Sequence, residues 1–289
     1  MESFPAQACF YKIILMILNK RLLAGCFVAA AFFTACKSSQ TKQDQSKKNF
    51  KVLTYNIHHA NPPGEAKDYI DLDTIAGTIK NSGADLVAIQ ELDSVAGRSG
   101  KEFQLKVLAG KLGMHYYFGK AIDYDGGGYG IGILSKYPIL ETRTVPLENI
   151  AGFSGENRAF IIAKVQLDKQ RQIYFGSTHL DVTTAKNRDF QAAQIVKEAR
   201  TLSLPFIIGG DFNALDTSQT VRTLQSYFSD ASQLKAPTIP THKPRRRIDY
   251  LWYAPAGSFK VISEKVLTGE QYGSDHLPFL ASFELKTER

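Results

Sequence analysis

An aspartate and an asparagine two positions apart follow a short apolar run that ends in two glycines. The run covers residues 207–210, and the polar residues are Asp211 and Asn213. Since side chains at positions i and i+2 of a strand lie on the same side, this pattern predicts a carboxylate beside a carboxamide at the tip of a buried strand. Such a pair can hold a water molecule and a phosphate oxygen. Taken alone, the same pattern is more typical of a turn with side-chain hydrogen bonds.

Other apolar segments also have polar residues at or near their ends. The side chains of these residues are of the types that can bind metal ions or transfer protons. Residues 51–57, 85–91, 172–179 and 247–253 are predicted strands, and residues 273–278 precede a last one. Their polar residues are Asn56, Glu91, His179, Asp249, Asp275 and His276. Each residue alone has a structural explanation, such as a helix cap or a hydrogen bond to a loop. Their recurrence instead predicts a ligand site, because open sheets place such sites at strand ends.

The short motifs around these residues resemble the endonuclease/exonuclease/phosphatase superfamily in type and in order. That superfamily includes pancreatic-type deoxyribonucleases, abasic-site endonucleases, bacterial sphingomyelinases and inositol-polyphosphate 5-phosphatases. The resemblance covers residues 50–285. It rests on Thr-Tyr-Asn-Ile (54–57), Gln-Glu (90–91), Ser-Thr-His-Leu (177–180), Gly-Asp-Phe-Asn (210–213), Arg-Ile-Asp-Tyr (247–250) and Ser-Asp-His (274–276).

The resemblance implies an α/β fold, a four-layer sandwich of two packed mixed sheets flanked by helices. Sequence pattern by itself predicts only a mixed α/β domain. Apolar periodicity predicts helices over residues 72–82 and 103–112, ended by Gly83 and Gly113, and over residues 185–202.

The resemblance also implies a metal-dependent phosphoric ester hydrolase in which water attacks phosphorus directly. The expected cation is Mg²⁺ or Mn²⁺, and Asn56, Glu91 and Asp275 would supply oxygen ligands suited to a hard cation. The expected catalytic residues are His179, Asp211, Asn213, Asp249 and His276.

In that scheme Asp211 and Asn213 position or deprotonate the attacking water, or complete a second metal site. His276, oriented by Asp249, acts as an acid or base or hydrogen-bonds the phosphate, and His179 does the same from the facing sheet. Which histidine protonates the leaving group stays open.

Two further residues are predicted to bind substrate. Tyr129 follows three glycines and starts a predicted loop-to-strand segment, where the family turns an aromatic or polar side chain toward the phosphate. Arg158 heads a strand at a place where relatives often keep an arginine. His58 and His59 invite a metal interpretation, but adjacent strand residues point to opposite faces, so we do not expect them to share one ion.

A cluster of basic residues, 243–247, precedes the strand that carries Asp249. It either forms a rim that grips a substrate phosphate or is a solvated loop. The formal net charge of the chain is +7, of which the first 49 residues carry +5. The remaining +2 does not favour nucleic acid as the substrate.

The first 35 residues have the pattern of a lipoprotein signal peptide. A basic stretch at 19–21 precedes twelve apolar or small residues, too few for a membrane span, which needs about 20. Small residues then precede Cys36. We predict a signal peptide over 1–35, a polar tether over 36–49 and a catalytic domain over 50–289, with a lipid on Cys36 and the domain outside the cytoplasm at a bacterial cell envelope. An uncleaved anchor, a secreted protein without lipid and a start at Met16 are the alternatives.

All three cysteines lie within the first 36 residues, which excludes disulfides and cysteine-bound zinc from the predicted domain. The hydrophobic content of 44% suits one large core, and we expect a monomer.

The substrate stays open among nucleic acid, a lipid headgroup and a small phosphoester. A lipoprotein that only binds its ligand is the non-enzymatic alternative. The sequence shows no long aromatic-rich hairpin, which makes a sphingomyelinase less favoured.

Overall fold

A computed structural model describes residues 49–270 and 272–286 of the chain. The predicted signal peptide and nearly all of the predicted tether lie outside the described residues. Cleavage, lipidation and envelope location therefore stay predictions. Among the helices of the described ranges, none is both long enough and apolar enough to cross a membrane.

The described chain contains twelve strands and four α-helices. The strands are β1 (Asn49–Asn56), β2 (Leu86–Ser94), β3 (His115–Tyr124), β4 (Gly127–Ser135), β5 (Ile139–Leu147), β6 (Arg158–Gln166), β7 (Gln172–His179), β8 (Phe206–Asp211), β9 (Ser229–Asp230), β10 (Asp249–Ala254), β11 (Phe259–Val266) and β12 (Phe279–Leu285). The helices are α1 (Leu72–Ser82), α2 (Gln104–Leu112), α3 (Ala185–Ala199) and α4 (Gln219–Gln225).

The strands form two six-stranded mixed sheets, with the orders β11-β12-β1-β2-β4-β3 and β5-β6-β7-β8-β10-β9. β1 pairs with β2 in parallel, and β7 pairs with β8 in parallel. Parallel neighbours need a long crossover connection, and α1 and α3 provide it in the two sheets. The predicted pair of packed mixed sheets is confirmed.

Three apolar clusters separate the four layers. The central cluster joins the two sheets and includes Val52 and Ile133 from the first sheet and Phe175 and Leu251 from the second. A second cluster lies between the first sheet and helices α1 and α2, and a third between the second sheet and α3 and α4. The central strands are covered on both faces. Their sequences are therefore nearly continuous apolar runs instead of alternating apolar and polar residues.

Gly209 allows the two sheets to approach closely beside the polar strand ends. A Cβ atom at Gly209 would lie 2.8 Å from Cβ of Ala88 and 3.1 Å from Cβ of Thr54, both in the facing sheet. These distances are shorter than a normal contact between carbon atoms, about 3.5 Å or more. Glycine in the motif before Asp211 therefore has a packing reason.

Two of the predicted helices have the expected C-terminal ends, and the third is shorter. Gly83 and Gly113 follow α1 and α2 in the left-handed conformation, with φ of 68° and 64°. α3 ends at Ala199, although we expected it to reach residue 202. Leu202 still packs against the third apolar cluster, which explains its apolar periodicity. Sequence patterns do not predict α4, which is only seven residues long.

The three glycines before Tyr129 have two different roles. Gly126 has a φ of 76° in the turn between β3 and β4. Gly127 and Gly128 belong to β4, which therefore begins two residues before the predicted Tyr129. A Cβ atom at Gly127 would lie 2.4 Å from the carbonyl oxygen of Ser94, so glycine is needed for this close strand pairing.

Candidate active site

Strand register brings the predicted polar residues to one end of the sandwich. Asn56 ends β1, and Glu91 lies in β2 just beyond the residue that pairs with Asn56. In the second sheet Asp211 lies opposite His179 on one side and opposite Asp249 on the other. Since β7 and β8 are parallel and β10 is antiparallel to β8, the end of β8 meets the end of β7 and the start of β10.

Asn56 connects the two sheets at this edge. Its Nδ2 donates to Oε1 of Glu91 at 2.9 Å and to Oδ2 of Asp211 at 3.1 Å. Its Oδ1 accepts from the backbone N–H of His58 at 3.1 Å. The Nδ2 of Asn56 therefore faces both carboxylates, and its predicted role as an oxygen ligand stays a prediction.

Asp211 is 2% exposed and lies at the centre of the site. Its Oδ2 is 3.6 Å from Nε2 of His179 and 3.7 Å from Nε2 of His276. Burial, reinforced by the negative charge of Asp249, raises the pKa of Asp211 to about 7.

Asn213 reaches the site through a turn. It lies beyond the end of β8 with a φ of 49°, and its backbone N–H donates to Oδ1 of Asp211 at 2.8 Å. The strand alternation that we expected between the two residues is therefore wrong, because β8 ends at Asp211. The side chains of Asp211 and Asn213 nevertheless line one cavity. The two residues therefore form a turn with a side-chain hydrogen bond and also belong to the candidate site.

His276 and Asp249 form a buried pair. Nδ1 of His276 is 2.9 Å from Oδ2 of Asp249, which also accepts from Oγ1 of Thr238 at 2.5 Å. Burial alone would lower the pKa of His276, but the charge of Asp249 and its hydrogen bond raise it to about 10. Ser274 holds the loop in place, because its Oγ donates to the carbonyl of Asn56 at 2.7 Å and accepts from the N–H of His276 at 3.2 Å.

His179 lies on the other side of Asp211. Nη1 of Arg158 is 3.3 Å from its Nδ1, and Nδ2 of Asn213 is 3.1 Å from its Nε2. Burial, followed by the charge of Arg158, lowers the pKa of His179 well below its usual value. A neutral imidazole has one bare nitrogen, so only one of these two donors can form a hydrogen bond to it.

A β-bulge turns Glu91 toward the cavity. The register of β2 against β4 shifts between Ile89 and Leu92, and Glu91 has a φ of 59°. An extra residue in one strand redirects the side chains that follow it. Glu91 and Asp275 line the same cavity, and both are half-buried.

The strand position from which we expected His58 and His59 not to share one ion is wrong. They lie in a 3-10 turn rather than in a strand, and both have left-handed backbone angles, with φ of 47° and 44°. Alternation of side chains therefore does not apply. The two ring centres are 4.6 Å apart, and both side chains line the cavity with Glu91.

Eight of the ten predicted site residues line a cavity of about 650 Å³: Glu91, Tyr129, Arg158, His179, Asp211, Asn213, Asp275 and His276. Asn56 and Asp249, each 1% exposed, lie behind them and contact lining residues. The tertiary structure adds Arg98, Tyr124 and Arg188 to the lining, and no sequence motif points to these three.

Arg98 is held at the cavity wall by a buried carboxylate. Its Nε and Nη2 each donate to an oxygen of Asp93 at 2.8 Å, and Asp93 is fully buried. Its guanidinium carbon lies 4.3 Å from the ring centre of Tyr124 and 5.5 Å from that of Tyr129. A bidentate ion pair and two aromatic rings fix the orientation of this cation.

The basic cluster over residues 243–247 divides between the cavity rim and the protein interior. Arg246 is exposed and lines the cavity, whereas Arg245 is exposed and outside it. Arg247 is 5% exposed and forms ion pairs with Asp216 at 2.9 Å and with Asp230 at 2.5 Å. The cluster is therefore neither wholly a rim nor wholly a solvated loop.

We expect Arg247→Met to lower the free energy of unfolding by about 3 kcal/mol, because removing one member of a buried ion pair leaves the other charges unpaired. Urea unfolding followed by circular dichroism measures the change. Arg245→Met is the matched control and should shift the free energy by less than about 0.5 kcal/mol. Equal midpoints for the two variants would contradict a structural role for Arg247.

Fold and site together define a class of two-sheet α/β proteins with carboxylates and histidines at one end of the sandwich. The sequence profile of the Endonuclease/Exonuclease/phosphatase family matches residues 53–276. The chain belongs to this family, as its motifs predicted.

Similar proteins align with more than four-fifths of this chain. YbhP, an uncharacterized protein of Escherichia coli strain K12, is 25% identical over 264 residues, which cover 84% of this chain and 99% of YbhP. An endonuclease/exonuclease/phosphatase from Beutenbergia cavernae has a TM-score of 0.71 at 21% identity, covering 82% of this chain and 72% of its own. The mannosyl-6-phosphatase Bt3783 of Bacteroides thetaiotaomicron has a TM-score of 0.66 at 22% identity, covering 81% and 99%. These structural similarities show a shared fold.

Proposed function

We propose that the protein is a divalent-metal-dependent hydrolase of small phosphoesters. The observation that carries this proposal is the arrangement around Asp211, which lies between His179 and His276 and faces Glu91 through Asn56. Buried acids and bases with perturbed pKa values at a cavity are typical of hydrolytic sites. Membership of the family supports the same activity.

The donor set suits a divalent cation. Glu91 and Asp275 present carboxylates to the same cavity, and carboxylate oxygens are preferred by hard cations. Asn56 would hold Glu91 in place, since its Nδ2 donates to Oε1 of Glu91, and its Oδ1 accepts from the N–H of His58 and keeps a second lone pair. When bound, such a cation would neutralise the charge of the phosphoryl group and polarise it.

Asp211 is proposed to remove a proton from the attacking water. Its pKa of about 7 lies in the range in which a carboxylate can accept and release a proton at neutral pH. Asn213 fixes the carboxylate by donating to its Oδ1.

His276 is proposed to donate a proton to the leaving oxygen as the phosphorus–oxygen bond breaks. The charge of Asp249 favours the protonated ring. The guanidinium of Arg158 would bind a phosphate oxygen beside the neutral imidazole of His179.

The cavity favours a small phosphoester over a nucleic acid or a membrane lipid. Its volume of about 650 Å³ falls within the roughly 300–1,000 Å³ that is usual for small-molecule sites. Arg158, Arg188 and Arg246 line it together with Arg98, whose charge Asp93 balances, and with tyrosines they suit an anionic substrate with polar groups. The mannosyl-6-phosphatase among the similar structures makes phosphorylated sugars the first compounds to test.

We expect treatment with excess EDTA to lower phosphate release from mannose 6-phosphate at least about 100-fold, because the charge of the phosphoryl group would no longer be neutralised. Addition of Mn²⁺ or Mg²⁺ should restore turnover. Supercoiled DNA, RNA, sphingomyelin and an inositol phosphate complete the substrate panel. Full activity in excess EDTA would reject metal dependence. If no substrate of the panel is hydrolysed with either metal, the hydrolase proposal fails and a binding lipoprotein becomes the better explanation.

We expect Arg246→Ala to raise KM about tenfold with little change in kcat, because an exposed rim cation contributes about 1–2 kcal/mol to anion binding. Arg245→Ala is the matched control, since Arg245 is also exposed but lies outside the cavity lining. Steady-state kinetics on the best substrate of the panel measure both variants. Equal KM values for Arg246→Ala and Arg245→Ala would contradict a substrate-binding rim.

A further inference from the structure

Two histidines and a glutamate converge on one wall of the cavity. One ring nitrogen each of His58 and His59 and one carboxylate oxygen of Glu91 all lie within 4.8 Å of one another. Ligand bonds of about 2.1 Å place opposite ligands of one ion about 4 Å apart. The three donors therefore lie nearly as close together as the ligands of a single metal ion.

The left-handed turn that carries the histidines is held by several hydrogen bonds. The N–H of Ala60 donates to the carbonyl of Ile57 at 2.8 Å, and the side chain of Gln104 donates to the carbonyl of His59 at 2.6 Å. Three successive residues without glycine adopt positive φ, at a cost of roughly 1–2 kcal/mol each. This conformation directs both imidazoles to the same cavity.

The ring of His58 is oriented as metal-binding histidines usually are. Its Nδ1 is 3.0 Å from the carbonyl oxygen of Asn61, and a carbonyl can only accept a hydrogen bond. Nδ1 therefore carries the proton, which leaves the lone pair of Nε2 available to a metal ion. A backbone carbonyl in this position fixes the tautomer of a metal ligand.

His59 provides a separate indication of a ligand. The residue is 8% exposed, and its Nδ1 is buried with no hydrogen-bond partner among the described residues. A buried polar atom without a partner costs about 1–3 kcal/mol. The nearby cation Arg98 does not prevent metal binding, because Asp93 neutralises it through a bidentate ion pair.

We propose that His58, His59 and Glu91 bind a first-row transition-metal ion, so that the metal held at Glu91 has nitrogen ligands in addition to oxygen. This inference rests on the proposed metal dependence of the site. Imidazole suits ions such as Fe²⁺, Co²⁺ and Zn²⁺, whereas Mg²⁺ keeps oxygen ligands and water. The protein would therefore prefer a transition metal to the Mg²⁺ expected from the sequence.

Titration of the full chain with Co²⁺ alone, followed by visible absorption and by calorimetry, tests the proposal. We expect one equivalent to bind with a spectrum that indicates nitrogen ligands. His58→Asn and His59→Asn should each lower the affinity at least about tenfold, and His115→Ala, an exposed histidine at the start of β3, should leave it unchanged. Asparagine is chosen because it tolerates the left-handed conformation.

A second variant keeps the test decisive if the asparagine variants unfold. His58→Asp replaces nitrogen with oxygen and should increase the ratio of Mg²⁺ affinity to Co²⁺ affinity about tenfold or more. Folded His58→Asn and His59→Asn variants with unchanged Co²⁺ affinity and spectrum would overturn the proposal, as would an unchanged affinity ratio in His58→Asp.

These readouts are independent of turnover. Loss of Co²⁺ binding in the histidine variants would support the metal site even if no phosphoester is hydrolysed. Hydrolysis that depends on Mg²⁺ in a protein whose histidine variants bind Co²⁺ normally would support the proposed function and reject this metal site.

Discussion

Asp211→Asn should lower kcat about 10⁴-fold while the protein stays folded. General base catalysis contributes about 10²–10⁴-fold, and we expect the upper end because Asp211 lies between both site histidines. Asparagine preserves the volume but cannot accept a proton. It also removes the repulsion between Asp211 and Asp249, which offsets the loss of one accepted hydrogen bond.

Phosphate release under saturating substrate and metal measures the effect, and thermal unfolding by circular dichroism checks the fold. The free energy of unfolding should change by less than about 2 kcal/mol. Asp123→Asn replaces an exposed aspartate that pairs with Lys120 on the surface, and it should leave kcat within about twofold. A folded Asp211→Asn variant with a kcat within tenfold of the parent would show that another group activates the water.

Asp249→Asn should lower kcat about 10³-fold and leave KM within about threefold. The amide oxygen of asparagine can take the place of Oδ2 and keep the hydrogen bonds to His276 and Thr238. The variant loses only the negative charge that orients the ring and stabilises its protonated form. Loss of the same charge behind a catalytic histidine in hydrolases costs up to about 10⁴-fold in kcat.

The division between kcat and KM separates this positioning role from a structural one. A general loosening of the site would raise KM together with the loss of kcat. Asp189→Asn is the matched control, because Asp189 accepts a hydrogen bond from Thr220 at 2.6 Å and lies outside the cavity lining. If Asp249→Asn and Asp189→Asn have the same kcat, His276 does not depend on its carboxylate partner.

Local patterns were sufficient to predict the elements that carry the site. The apolar runs before Asn56 and Asp211 predict strands, and β1 and β8 end at those residues. Gly83 predicts the end of α1 because a left-handed C-terminal residue favours glycine. These signals depend on neighbours in the sequence, so a pattern of a few residues contains them.

Side-chain direction required contacts between distant parts of the chain. Asn56 turns its amide group toward Glu91 and Asp211, which are 35 and 155 residues away in the sequence. Arg246 and Arg247 are adjacent, yet one faces the cavity and the other is buried against Asp216 and Asp230. The local sequence is the same kind of basic cluster for both arginines, so it does not show which of them is buried.

The sequence by itself determined the family, because six motifs in the family's order lie along the chain, and through that resemblance it implied the two-sheet fold. Its motifs also named eight residues that line the cavity. Only the tertiary structure decided that His58 and His59 face Glu91 together. Their positions depend on a left-handed turn and on a β-bulge at Glu91. Both features are stabilised by hydrogen bonds and strand pairing across the fold, and side-chain periodicity along the chain does not contain that information.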